Sequence, residues 1–259
     1  MRNPGGGTVE KFWIRLGGLA GIIYVAASAS GNVIEPTPPS FNADPSAIVS
    51  FVVSERHLIV GGEITTAAAT LFGLWWLGTF GYAFGKLAND RDPLAWIAVI
   101  TGVTAKVFSL IGHLVTALLA TLALQSQGLA DGVLDRALLD LSQIALAISF
   151  LVLGVFVPTV AFAAIRRGIV RAWLGWLAVI VGIINAASGV FALCTGSFVP
   201  SSDSLANGPL VGIGTARTWE SVFFVGLIGF WFIVFVVSVQ FLRGRGAVST
   251  STGPESAPA

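Results

Sequence analysis

Cysteine is almost missing from this chain: Cys194 is the only one in 259 residues. A lone thiol excludes an intramolecular disulfide and a cysteine-based metal site, and leaves Cys194 as a small apolar filler near the outer end of the fifth helix. Histidine is nearly as scarce. His57 and His113 are the only two, which argues against a haem or a histidine-rich metal centre. Charge is the third deficit. Asp, Glu, Lys and Arg make up 10% of the chain and the net charge is +1, whereas soluble domains carry about 25% charged residues. No basic face exists to neutralise phosphates, so nucleic acid is excluded as a partner. No glycine-rich phosphate loop, zinc-protease motif or nucleophile elbow stands in a context that could support it. The last apolar run has no lysine, so a retinal Schiff base has no support there. Neither a metal nor a cofactor is expected.

What fills the chain instead is hydrocarbon. Hydrophobic residues make up 55% of it, and the mean hydropathy is +0.86. Apolar runs lie near 12–30, 57–85, 94–124, 137–165, 172–195 and 218–242, each long enough to cross a hydrocarbon layer that takes about 20 helical residues. The expected fold class is all-α: one polytopic transmembrane bundle of six helices over residues 1–245, then a small, polar, disordered tail at 246–259. Ten basic residues fall in the segments before span one, between spans two and three, between spans four and five, and after span six. Arg56, Arg136 and Arg217 fall on the other side. The positive-inside bias then places both termini in the cytoplasm. One alternative is that Arg2–Arg15, the short apolar run and the small residues 26–30 form a cleaved signal peptide, leaving five spans.

The external segment 31–56 opens with "EPTPPS" (35–40), where prolines stiffen the chain and disfavour helix. Asp44-Pro45 reads as an N-cap followed by proline at the first helical position. Residues 46–53 then form either a short lid helix on the outer face or a simple surface turn. Trp75, Trp76, Trp96, Trp173 and Trp176 fall towards cytoplasmic span ends, as an aromatic belt requires, and Trp219 marks an outer end. Pro158 is expected to kink helix four. Gly17–Gly21 and Gly81–Gly85 have the small-xxx-small spacing of close helix contacts. "LAWIAVITG" (94–102) and "LGWLAVIVG" (174–182) match closely enough to suggest duplicated hairpins, with convergence of two interface-starting helices as the alternative.

An ionisable group inside the bilayer costs about 2.5–3.5 kcal/mol, so each needs a reason. Glu63 lies within helix two and Lys106 near mid-depth of helix three. Helical spacing extends them into two stripes: Glu63, Thr66 and Thr70, and Lys106, Ser109, His113 and Thr116. Asp140, Gln143, Asn185 and Ser188 join in the outer halves of helices four and five, and Glu220 starts helix six. The polar residues therefore converge on the outer half of the bundle. One reading is a structural Glu63–Lys106 ion pair with hydroxyl neighbours, pinning two helices. The other is a pocket open to the outside, lined by Glu63, Lys106, His113, Asp140 and Asn185, with 44–53 across its mouth. Alone, His113 reads as a hydrogen-bonded core histidine, and Glu55-Arg56-His57 as a solvated helix start. Ser109, His113 and Asp140 make a poor catalytic triad, because nothing supplies an oxyanion hole.

The opening "IRLGGLAGIIYV" (14–25), "LIVGGEI" (58–64), the charged Lys106 within helix three and "VRAWLGWLAVIVGI" (170–183) carry a resemblance that spans most of the chain. They resemble a bacterial, actinobacterial-type family of six-helix membrane proteins described only as a domain of unknown function. Val170 departs from it, where that family has proline, and Lys106 stands where arginine or glutamate is expected. The resemblance implies a bacterial plasma-membrane protein and no activity. Three functions compete: binding a small amphiphile or lipid from the outer leaflet; a membrane-embedded enzyme for apolar, isoprenoid-like substrates, with Glu63 as acid and Asp140 as a facing carboxyl; and a proton-coupled transporter. The last needs a polar path to the cytoplasm that the inner half lacks.

Overall fold

The structure, a computed structural model, describes residues 6–36, 39, 44–87, 93–125, 132–166, 168, 170–195 and 216–244. Among these there are six α-helices and no strand: α1 Gly6–Ile34, α2 Pro45–Leu87, α3 Pro93–Gln125, α4 Gly132–Arg166, α5 Ala172–Thr195 and α6 Ala216–Leu242. Every one contains a stretch long and apolar enough to cross a membrane, the shortest being the 21 residues Val222–Leu242. Helices suit such sequences because hydrocarbon offers the backbone no hydrogen bonds, so each segment must satisfy its own. Six spans return the chain to its starting side. One end of the bundle therefore carries both termini (the terminal face), and the other carries the α1–α2, α3–α4 and α5–α6 connections (the loop face).

Consecutive helices pack side by side, and α6 closes the ring against α1. Aromatic side chains from α2, α4 and α6 meet inside it: Trp76 and Phe156 at 6.4 Å between ring centroids, Phe156 and Phe230 at 6.2 Å, Phe84 and Phe241 at 6.5 Å. Phe80 stacks on Phe84 at 4.0 Å. These rings fill the space between α2, α4 and α6 in the terminal half of the bundle. The outward faces carry aliphatic side chains such as Leu71, Ile100 and Ile183, as lipid contact requires. Trp96, Trp173 and Trp176 are exposed near helix starts, in keeping with a belt, but Trp76 is not part of it: only 2% of its surface is exposed. It is a core residue of the aromatic plug.

One expectation about helix ends changes. Residues 46–53 are not a separate short helix; they are the first turns of α2, which runs unbroken for 43 residues. Asp44 caps it, its Oδ1 accepting from the Ser46 amide at 2.8 Å. The Ser46 hydroxyl and amide hold the Asp44 carboxyl below the usual carboxylate range. Ile48 and Val52 pack on Ile59, Leu119 and Leu139, so this extension is anchored to the loop-side ends of α3 and α4. Pro158 lies within an unbroken α4, and its ring fills the space beside Gly182 on α5. Residues 37, 38 and 40–43, the tail from 245 onwards, and the side chains of Trp219 and Glu220 lie outside the described residues.

Candidate functional site

The site begins where α1 and α2 touch. A Cβ on Gly62 would stand 3.0 Å from the Glu35 Cβ and 3.1 Å from the Gly31 carbonyl oxygen, so glycine lets the two helices approach this closely without displacing a neighbour. The Glu35 amide donates to the Gly31 carbonyl at 3.0 Å, carrying the hydrogen-bond pattern of α1 one residue beyond Ile34 before Pro36. Glu35 is thereby delivered to the side of Glu63.

Glu63 is 1% exposed and sits with its Oε2 2.5 Å from Nδ1 of His113 on α3, itself 8% exposed. The Glu35 and Glu63 carboxyls are in hydrogen-bonding contact. One ligand-type atom from each of Glu35, Glu63 and His113 lies within 4.8 Å of the other two. Thr116 flanks Glu63 and shares a 2.6 Å hydrogen bond with Ser142 on α4. A buried and a half-buried carboxyl in contact need a proton or a cation between them, because like charges this close disfavour double ionisation. Burial first, and then the Glu63 carboxylate, push the Glu35 carboxyl up to about 8.

Lys106 turns the other way. Its amine hydrogen-bonds the Tyr24 hydroxyl on α1 and lies 3.9 Å from that ring's centroid and 5.2 Å from Phe230's. Gly73 makes the room, since a Cβ there would stand 3.1 Å from the tyrosine ring and 3.4 Å from the lysine Cε. No carboxylate lies within 4.0 Å of this amine among the described residues. Helical side chains lean towards the N-terminus of their helix. Because α3 starts at the terminal face, its lysine leans away from Glu63. The expected Glu63–Lys106 pair gives way to two pairs, Glu63 with His113 and Lys106 with Tyr24.

Above Lys106 opens a cavity of about 170 Å³. It runs from Tyr24, Lys106 and Phe230 at mid-depth to Glu35, Pro36, Phe223 and Phe224 at the loop face. Its two walls differ. Helices α1, α2 and α3 present hydroxyls, Asn32, Glu35, Lys106 and His113, while α4 and α6 present chiefly Leu146, Phe150, Leu153, Leu227 and Phe230. A separate cleft of about 370 Å³, lined by Arg171, Trp173 and Arg243 among others, lies between α5 and α6 at the terminal face. The aromatic plug stands between the two.

Of the residues singled out from the sequence, Lys106, His113 and Gln143 line the cavity, and Glu63 stands behind His113. Asp140 does not line it. Its side chain is 26% exposed and lies 4.0 Å from Arg136, one turn back on the same helix. Asn185 is a helix fastener: its Nδ2 donates to the Val181 carbonyl at 2.8 Å and to the Gly226 carbonyl of α6 at 3.1 Å. The side chain of Glu220 lies outside the described residues. Residues 44–53 do not cross the mouth. Phe51 and Val52 instead line a small adjoining void of about 10 Å³ shared with Glu35 and Gln143. Glu35 and Tyr24 went unnoticed in the sequence. An acid directly before the first proline of a span-ending loop was the available signal for Glu35. The chain has no match among protein-family models, curated proteins or solved structures.

Proposed function

We propose that the protein binds a small amphiphile or lipid through the loop-face cavity. The carrying observation is its pair of walls, polar from α1–α3 and apolar from α4 and α6, within one space. Such a space accepts a molecule with both a headgroup and a hydrocarbon part. Its volume of about 170 Å³ falls short of the roughly 300–1,000 Å³ that encloses a drug-sized ligand. A headgroup and the first part of its chain fit, and the remainder passes Phe224, which is 44% exposed at the rim, into the bilayer. The distribution of basic residues supports cytoplasmic termini, which turns the cavity towards the outer leaflet. The resemblance to a bacterial family supports a plasma-membrane location.

One observation favours a second reading, acid-initiated chemistry on an apolar substrate. The facing carboxyl it requires is supplied by Glu35 rather than by Asp140, beside a wall containing Phe150 and Phe230. Transport across the membrane has less support, since the plug of Trp76, Phe80, Phe84 and Phe156 fills the route to the terminal face.

Native mass spectrometry of protein purified in mild detergent tests the binding reading. Wild type should retain a bound amphiphile, and Leu227→Trp, which fills the apolar wall, should lose it while still folding. Equal retention by both would refute the proposed site. Turnover of linear polyprenyl substrates that vanishes in Glu63→Gln would move the second reading ahead.

A further inference from the structure

We propose that Glu35, Glu63 and His113 form a binding site for a first-row divalent transition cation of the zinc type. The three donors come from three helices and converge with their ligand-type atoms within 4.8 Å of one another. Around zinc, bonds of about 2.0–2.2 Å place tetrahedral ligand atoms roughly 3.3–3.6 Å apart. The 2.5 Å Glu63–His113 contact opens by about 1 Å to reach that spacing, and the Glu35 donor atom, within 4.8 Å of both, moves by about 1 Å at most to join it. Charge fits as well. Two carboxylates and a neutral imidazole balance a dication to zero, which removes the mutual repulsion of two carboxylates held together out of water. The imidazole selects the metal, because calcium and magnesium take oxygen ligands, whereas zinc and its neighbours accept nitrogen with carboxylate.

Thr66, one turn along α2 from Glu63 and 5% exposed, lines the same cavity, while its hydroxyl oxygen packs against Gly31 of α1. Three protein ligands leave a fourth position open to the cavity, as in zinc sites that take an exogenous ligand. The site does not depend on the amphiphile reading, and zinc alone probes it.

The test uses the full chain purified in mild detergent, stripped with EDTA and titrated with zinc by calorimetry, with bound metal counted by elemental mass spectrometry. One zinc per chain is expected. Glu63→Gln and His113→Gln should each weaken binding at least 10-fold. Glu35→Gln, one residue beyond α1 and half-buried where the other two are buried, should do the same with its melting temperature retained, so the test survives misfolding of the other two. His57→Gln, removing the exposed histidine near the loop face, should leave binding unchanged. Any of three results overturns the site: no stoichiometric zinc on folded wild type, affinity unchanged in both Glu35→Gln and His113→Gln, or loss of binding in His57→Gln. Tighter binding of calcium than zinc overturns the metal class.

Discussion

Glu63 on α2 and His113 on α3 meet at 2.5 Å with almost no exposure to solvent, and this contact ties the polar end of the bundle together. Removing one partner strands the other in a low-dielectric space. Glu63→Gln or His113→Gln should lower stability by about 1–3 kcal/mol, between the small value typical of membrane hydrogen bonds and the larger one for broken buried ion pairs. The double variant should cost less than the sum. Reversible unfolding in mixed micelles measures all three, and strict additivity would show that the two side chains do not interact.

The same cycle separates Lys106 from Glu63. Tyr24→Phe and Lys106→Met should be strongly non-additive, since each removes half of one contact. Glu63→Gln with Lys106→Met should show clearly weaker coupling. The reverse order would restore the ion pair that charge cost alone suggests.

Two adjacent glycines give an internal control on the α1–α2 contact. At Gly62 a Cβ would press on Glu35 and the Gly31 carbonyl at 3.0–3.1 Å, whereas at Gly61 it would meet only Ile34 at 4.0 Å. Gly62→Ala should therefore destabilise by about 1–3 kcal/mol through overpacking. Gly61→Ala should be neutral or gain up to about 1 kcal/mol from helix propensity. Equal effects at both positions would contradict the close approach that places Glu35.

The six helices were legible in the hydropathy runs because spanning segments have little freedom in length or polarity. The start of α2 was not. Ser54, Glu55, Arg56 and His57 look like a break, yet α2 continues through them to Pro45, because polar side chains cost little where a helix projects beyond the apolar layer. The polar cluster was legible as a stripe and misread as a pair. Counted from the terminal face at about 1.5 Å per residue, Glu63 stands roughly 36 Å along α2, His113 roughly 30 Å along α3 and Lys106 only about 20 Å. Depth and side-chain lean, not charge, choose the partner. Glu35 was hidden because sequence periodicity carries no information on which loop-end acid two touching helices draw inward.

Sidedness follows from labelling. In a Cys194→Ser background, Ser50→Cys, exposed on the first turns of α2, should react with a membrane-impermeant maleimide added outside intact cells. Reaction only after permeabilisation would invert the bundle.

The most direct measurement is photocrosslinking with a long-chain amphiphile carrying a diazirine near its headgroup, followed by peptide mapping. An amphiphile seated between the two walls should label Leu153, Phe223 and Leu227 from the apolar side, and the labelling should fall with Leu227→Trp and with excess unlabelled amphiphile. Adducts confined to lipid-facing residues such as Leu71, Ile100 and Ile183, undiminished by competitor, would contradict the account.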